Sequence, residues 1–397
     1  MLATPVADGI WWVGAIDWNL RDFHGYETPR GTTYNAYLVK GAEKTALVDT
    51  VKTPFVPELL SRIRSIVPLE EIDYIVVNHI EPDHNSGLRA VMAAIPKAKV
   101  VASPVGVKGI AEYHDGLVVD PVTKDDTIDL GGKTLTFLPE PMVHWPDSMF
   151  TYCPEECVLM PNDAFGQHLA SCERFADQFT GCEPMEELRT YYANILLPLG
   201  TQVGKAVDKI KELGWICHVV APSHGVMWRG VDILKLLDSY GEWSTGVLKD
   251  KVVVAYATMW GATDVMAKHI ADGIMAEGTE CYLADVRSTA FSAIMTELLD
   301  ARGLVLGSPT LHHGVLSQVA GFMQYVAGLK PKDRFAGTFG SYGWSSGATK
   351  QMTAKLEEIG FELPFGDFTV KYALTAEDEA AARDWGAQFG RLAKERG

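Results

Sequence analysis

At 397 residues the chain has room for two or three domains of about 150 residues each. Its 47% hydrophobic content supports full cores, and a formal charge of −16 argues against nucleic acid as a partner. No apolar run approaches the ~18 residues of a membrane span. Residues 1–8 lack the basic and apolar segments of a secretory signal, and the six cysteines are scattered with no CxxC pair. A disulfide framework, a zinc ribbon and a rubredoxin-type iron site within the chain are therefore not expected, and the cytoplasm is the expected compartment.

In chain order, residues 10–14 and 32–39 read as strands joined by a loop that holds His24. A strand at 45–50 and a helix over 55–66 lead into residues 72–77, an apolar, β-branched run with the look of a buried parallel strand. The chain then turns polar at once. His79, Glu81, Asp83 and His84 fall within six positions. Pro82 pushes the residue before it toward extended geometry. An extended course sends His79, Glu81 and Asp83 to one side, into one pocket. Imidazole suits zinc or iron, and carboxylates move the preference away from purely soft sites. A helix over 86–94, a strand over 99–103 and a β-rich stretch through 135–138 follow. Three single candidates then appear, each just beyond an apolar or extended run: His144, Asp163 and His224. The alternation of strand pairs with strand–helix units implies an α/β sandwich.

The polar, glycine-containing stretch 241–251 marks the expected boundary between domains at 1–248 and 251–397. Beyond it, strands at 251–256, 281–286, 303–308, 335–339 and 368–372 alternate with helices at 264–276, 291–299, 315–328 and from 376 onward. This is the pattern of a doubly wound sheet, whose ligands bind beyond the strand C-termini. Thr258, Thr263 and the amides at a helix start form an anion site needing no lysine or metal. The absence of GxxxxGK[ST] excludes an ATPase, and the absence of GxGxxG leaves a dinucleotide site unsupported.

Residues 1–248 resemble the metallo-β-lactamase fold, whose usual motif is HxHxDH followed by a distant His, an Asp and a last His. Here Glu81 stands in place of the second His. That replacement is the mark of the flavodiiron proteins (A-type flavoproteins), and the phrases His144-Trp-Pro-Asp-Ser-Met and Pro222-Ser-His-Gly-Val fit the same family. The loop Thr258, Met259, Trp260, Gly261, Ala262, Thr263 resembles the flavodoxin phosphate loop T-x-T-G-x-T, with Trp260 for the middle threonine. Ser308, Pro309, Thr310 and Leu311, with Ser341, Tyr342, Gly343, Trp344 and Ser345, resemble the two loops that flank an isoalloxazine ring.

The resemblance implies an N-terminal metallo-β-lactamase-like αββα sandwich and a C-terminal flavodoxin-like doubly wound parallel sheet. It implies FMN and two non-haem irons: His79, Glu81 and His144 on one, Asp83 and His224 on the other, Asp163 bridging. His84 is implied either as a ligand or as a hydrogen-bond donor behind one, and His24 and Tyr192 as donors near open iron positions. Two-metal sites typically hold their ions about 3.5–4 Å apart. The implied activity is reduction of dioxygen to water, of nitric oxide to nitrous oxide, or both. The implied electron source is a separate rubredoxin or, for some relatives, a deazaflavin coenzyme. The implied assembly is a head-to-tail homodimer, alone or doubled into a tetramer. Two other classes fit parts of the chain: a zinc hydrolase with a regulatory flavodoxin-like domain, and an electron carrier whose first domain has lost function. Glu81 argues against the first, and the full set of competent ligand residues against the second.

Overall fold

The run Tyr74–Val77 forms a strand buried on both faces, and it organises the first half of the molecule. Alternate side chains leave opposite faces of a strand. Val76 enters the core between two sheets, while Ile75 and Val77 enter a second core with residues of the helices Val56–Ile63 and Leu88–Ala94. In this computed structural model, which describes residues 1–397, that strand lies inside a seven-stranded sheet. Its parallel neighbours are Thr45–Val48 and Lys99–Ala102. A six-stranded sheet running from Thr127–Asp129 to Trp228–Arg229 supplies the facing apolar layer, including Phe137, Met149 and Met160.

The chain divides into two compact units, residues 1–191 with 199–241 and residues 192–198 with 242–397. In the second unit five parallel strands lie in the order Glu280–Asp285, Lys249–Tyr256, Ala301–Gly307, Phe335–Tyr342, Phe368–Lys371. This is the doubly wound order in which the chain reverses direction beside its first strand. Val253 and Ala255 face one core, Val252 and Val254 the other, so both faces are covered. Residues 192–198 belong to this unit through Asn194. Its amide donates to Ser292 O at 3.1 Å, and its Oδ1 accepts from the Tyr325 hydroxyl at 2.8 Å.

Two expectations need correction. The strand expected over 32–39 is two strands, Thr32–Tyr34 and Tyr37–Lys40, in different sheets. They part at buried Asn35, whose backbone N–H donates to Ser223 O and whose side-chain amide donates to Pro222 O and Gly225 O. The polar stretch 241–251, read as the boundary, holds the end of a helix and the start of a strand: Val231–Thr245 runs through Gly241 and the next strand starts at Lys249. Buried Ile233, Leu236 and Tyr240 give that helix an apolar stripe that outweighs one glycine. The second correction is that the ligand loop is not extended throughout: Pro82–Asn85 is a helical turn. No helix is long and apolar enough to cross a membrane.

Candidate metal centre and cofactor cavity

The strand Tyr74–Val77 hands its chain to the site through Asn78. The Asn78 backbone N–H and side-chain amide donate to Asp49 at 2.8 and 3.1 Å, and its Oδ1 accepts from Thr151. His79 and Glu81 follow, and Glu81 has the extended geometry imposed by the next proline (φ −56°, ψ 138°). Pro82 then opens the helical turn, a position where its missing N–H costs nothing. The turn carries Asp83 and His84 to a different place from His79 and Glu81.

Two adjoining clusters result. His79, Glu81, His144 and Asp163 converge in one, and Asp83, His84 and His224 in the other, with one donor atom from each residue within 4.8 Å of the rest. Asp163 serves both. Its Oδ2 lies 3.2 Å from His144 Nε2 and 3.5 Å from His79 Nε2, while its Oδ1 lies 3.1 Å from His84 Nε2 and 3.6 Å from His224 Nε2. Three carboxylates and four imidazoles therefore share one buried space, one carboxylate presenting an oxygen to each half.

Neighbouring groups aim the rings. His79 Nδ1–H donates to Asp147 Oδ2 at 3.0 Å, and His224 Nδ1–H donates to Thr33 O at 2.7 Å. Both leave Nε2 facing the clusters, the arrangement that fixes the tautomer of a metal-binding histidine. Both Asp83 oxygens, both His84 nitrogens and Asp163 Oδ1 are buried and form no well-aligned hydrogen bond, His84 Nε2, Asp163 Oδ1 and Asp83 Oδ2 meeting their neighbours only at ion-pair distance. Orphaned polar atoms are costly when nothing satisfies them. Nitrogen and carboxylate donors without sulfur suit a divalent metal of the iron or zinc kind.

Charge enforces the same reading. Burial disfavours an ionised Asp163, yet His84, His144 and His79 hold its carboxyl well below the usual range. Burial likewise opposes protonation of His84 and His144, but Asp83 and Asp163 for the first, and Asp163 and Glu81 for the second, push both to about 9. These raised values contribute stability that is complete below the unfolded value of ~6.5 and disappears as pH rises through about 9. Metal-stripped protein is therefore expected to show a falling Tm between pH 6.5 and 9. The metal-loaded protein should lack that slope, because a metal takes the place of the proton. Parallel Tm profiles for the two forms would contradict it.

The second site is a cavity of about 1200 Å³ at the strand C-termini of the parallel sheet. All of the three predicted loops line it except Thr258, Thr263 and Ser308, which stand behind as braces. Thr258 Oγ1 accepts from Gly261 N at 3.1 Å, Thr263 Oγ1 meets Ser341 Oγ at 3.1 Å, and Ser308 Oγ accepts from Leu316 N. The Arg287 guanidinium, held by Asp285, donates to Thr258 O at 2.6 Å. Gly261 sits at φ +93° and caps the 15-residue helix Ala262–Ala276, so only glycine enters this turn without strain. The helix start offers free amides to an anion, and the cavity is wide enough for a three-ring cofactor.

The lactamase-like half, residues 32–225, matches the family model described as ODP family beta lactamase, and residues 254–386 match Flavodoxin. A nitric oxide reductase of Moorella thermoacetica is 42% identical over 91% of this chain and 92% of its own length. A rubredoxin-oxygen oxidoreductase of Megalodesulfovibrio gigas is 39% identical over 99% of both chains. A flavodiiron protein from Giardia intestinalis, known from its crystal structure, superposes with a TM-score of 0.96 at 33% identity, over 100% of this chain and 97% of the other. This chain belongs to the flavodiiron protein family.

In this flavodiiron chain the seven clustered residues fall wholly within the first matched region and the cavity lies within the second. His84 groups with Asp83 and His224 in the second cluster. His24 Nε2 lies 3.3 Å from Glu81 Oε1, with the imidazole 74% exposed. Tyr192 is a correction: its ring packs on Trp243 in the second unit, 5.1 Å between centroids. Its neighbour Tyr191 is the tyrosine beside the metal centre, 5.1 Å from His168 and 6.1 Å from His224. His168 itself escaped the sequence reading. It is fully buried, 4.9 Å from the His224 ring, with Nδ1 2.8 Å from Thr32 Oγ1, and burial holds it well below its ordinary value, neutral. A solitary histidine with no ligand spacing gave no signal.

Proposed function

We infer that this flavodiiron protein reduces dioxygen to water, nitric oxide to nitrous oxide, or both. The reaction would run at two non-haem irons in the buried clusters, with electrons arriving through FMN from rubredoxin or another reduced donor. The observation that carries this reading is Asp163, which offers one oxygen to each cluster. His79, Glu81 and His144 would hold one iron and Asp83, His84 and His224 the other. FMN supplies a carrier that accepts electrons singly and holds two, and a pair of irons supplies adjoining sites for a diatomic ligand. Water formation consumes four electrons and four protons per dioxygen, and nitrous oxide formation two of each per two nitric oxides. His24 sits at the exposed edge of the first cluster, where its imidazole can donate to Glu81 and exchange protons with solvent.

Relatives named for nitric oxide and for dioxygen reduction support both substrates, and the second name supports rubredoxin as donor. Domain limits of 1–248 and 251–397, a head-to-tail homodimer (single or doubled) and a cytoplasmic location complete the proposal. Six free cysteines support a reducing compartment. The test is metal and flavin analysis of protein purified without added metal, followed by turnover of each gas with reduced rubredoxin. Two irons and one FMN per chain, with consumption of either gas, is the expected result. Zinc without flavin, together with lactam or thioester cleavage, would overturn it.

A further inference from the structure

One stretch of the cofactor cavity is built against local preference. Leu311 and Gly314 exchange both backbone hydrogen bonds at 2.9 Å, closing a turn with only His312 and His313 between them. Both histidines have left-handed backbones, φ +49° and +64°. Two-residue turns of this hand favour Asn-Gly, Asp-Gly or Gly-Gly, because two positive φ angles in succession strain residues that carry a Cβ. The surroundings hold the turn in that state. Thr310 N–H donates to Ser341 O at 2.9 Å, Ala348 N–H to Thr310 Oγ1 at 3.2 Å, and Val315 N–H to Gln351 Oε1 at 3.1 Å. Gly347 has no side chain where one would collide with His313 O. Strain kept in place by so many contacts points to a use for the side chains it presents.

Both imidazoles line the cavity that takes the flavin. We propose that His312 and His313 are positioning residues for the redox step, stabilising the reduced isoalloxazine ring over the oxidised one. The proposal rests on FMN being the occupant. Two electrons from the external donor, with one proton, turn the neutral ring into a mono-anion. A nearby imidazole favours that anion by donating a hydrogen bond, and favours it more when it carries a proton. Imidazole is the side chain whose charge ordinarily changes near neutrality. The other titratable groups facing the same space are Asp264, Tyr342, Tyr372 and Glu379. Among these, only the two histidines can bring positive charge to the ring.

The test replaces both with asparagine, the residue with a side chain that best tolerates a left-handed backbone. FMN affinity of the apoprotein is read by fluorescence, and the midpoint potential of bound FMN by spectroelectrochemistry from pH 5.5 to 8.5. His312→Asn with His313→Asn is expected to bind oxidised FMN within about twofold of the parent. It should hold reduced FMN about tenfold more weakly at pH 6, a potential ~30 mV lower for a two-electron couple. Unchanged potentials, or equal weakening of both redox forms, would overturn the proposal. If the asparagine pair misfolds, His312→Gly with His313→Gly relieves the strain, removes the imidazoles and yields the same readout. A parent protein that binds no FMN would refute the cofactor reading itself, a different outcome from a parent that binds FMN with the variant's potential.

Discussion

Asp163→Ala is expected to empty both metal clusters to below half occupancy and to lower gas turnover by at least about 100-fold, while FMN remains bound. No other side chain faces four imidazoles at once, with one oxygen in each cluster. If the two clusters hold the proposed irons, its removal takes a ligand from both and a negative charge from between two cations. Second-layer changes at metal sites typically cost 10- to 100-fold, so loss of a shared ligand should cost more. Asp163 is fully buried beside the inter-sheet core, yet the substitution need not unfold the domain. His84 and His144 owe part of their raised values to the Asp163 carboxylate, and without it they can lose their protons rather than remain buried and charged. Asp163→Asn, which keeps the shape, separates charge from packing and should also lose metal. The cavity belongs to a different compact unit, so flavin content should stay at one per chain. Iron measured by plasma emission, with flavin absorbance on the same sample, decides the matter. Full iron occupancy in Asp163→Ala would mean that the two clusters do not share a ligand.

The parts of this centre that the chain announces in one dimension are those that depend on local chemistry. A β-branched run followed by four ligand-type residues in six positions can hardly be anything but a buried strand opening into a site. The phase of those ligands is another matter. Pro82 does hold Glu81 extended, but it also starts the helical turn Pro82–Asn85. That second property of proline separates Asp83 and His84 from His79 and Glu81. The sharing of Asp163 depends on the loops after four strands, Tyr74–Val77, Thr134–Pro139, Val158–Met160 and Val219–Val220, converging, which no spacing encodes. Tyr191 and Tyr192 illustrate a finer limit. The helix Glu183–Tyr191 passes directly into a wider π-turn over Tyr192–Leu196, and the change of phase sends adjacent rings to different units. Glycines hide the helix Pro104–Tyr113 from a periodicity reading. Gly109 is there because the Ile80 side chain, from the ligand loop, occupies the space its Cβ would need. The flavodoxin-like half reads more completely, since its central strands Lys249–Tyr256 and Ala301–Gly307 carry apolar runs and the three cavity loops fall at strand C-termini. Even there the helix Gly347–Ile359 was not expected.

In the cavity, Thr258→Val with Thr263→Val is expected to weaken FMN binding about 100-fold and to leave metal content unchanged. Valine matches threonine in shape, so the change removes two hydroxyls and little packing. Each hydroxyl now braces a loop: Thr258 Oγ1 fixes the Gly261 amide, and Thr263 Oγ1 ties the helix start to Ser341. A hydrogen bond involving a charged group is worth about 1.5–3 kcal/mol, so two placed on a phosphate would cost about 3–6 kcal/mol. The bottom of that range, about 100-fold, is the better expectation, because the freed Gly261 amide can itself turn to the phosphate. Fully buried Thr263 should account for most of the loss, since its replacement also strands the Ser341 hydroxyl. Titration of the apoprotein with riboflavin separates the contributions. Riboflavin lacks the phosphate, so its affinity should change by less than about threefold if these threonines shape an anion site. An equal loss for riboflavin and FMN would instead mean that they position the ring, and the phosphate would have to be held by other groups at the start of the helix Ala262–Ala276.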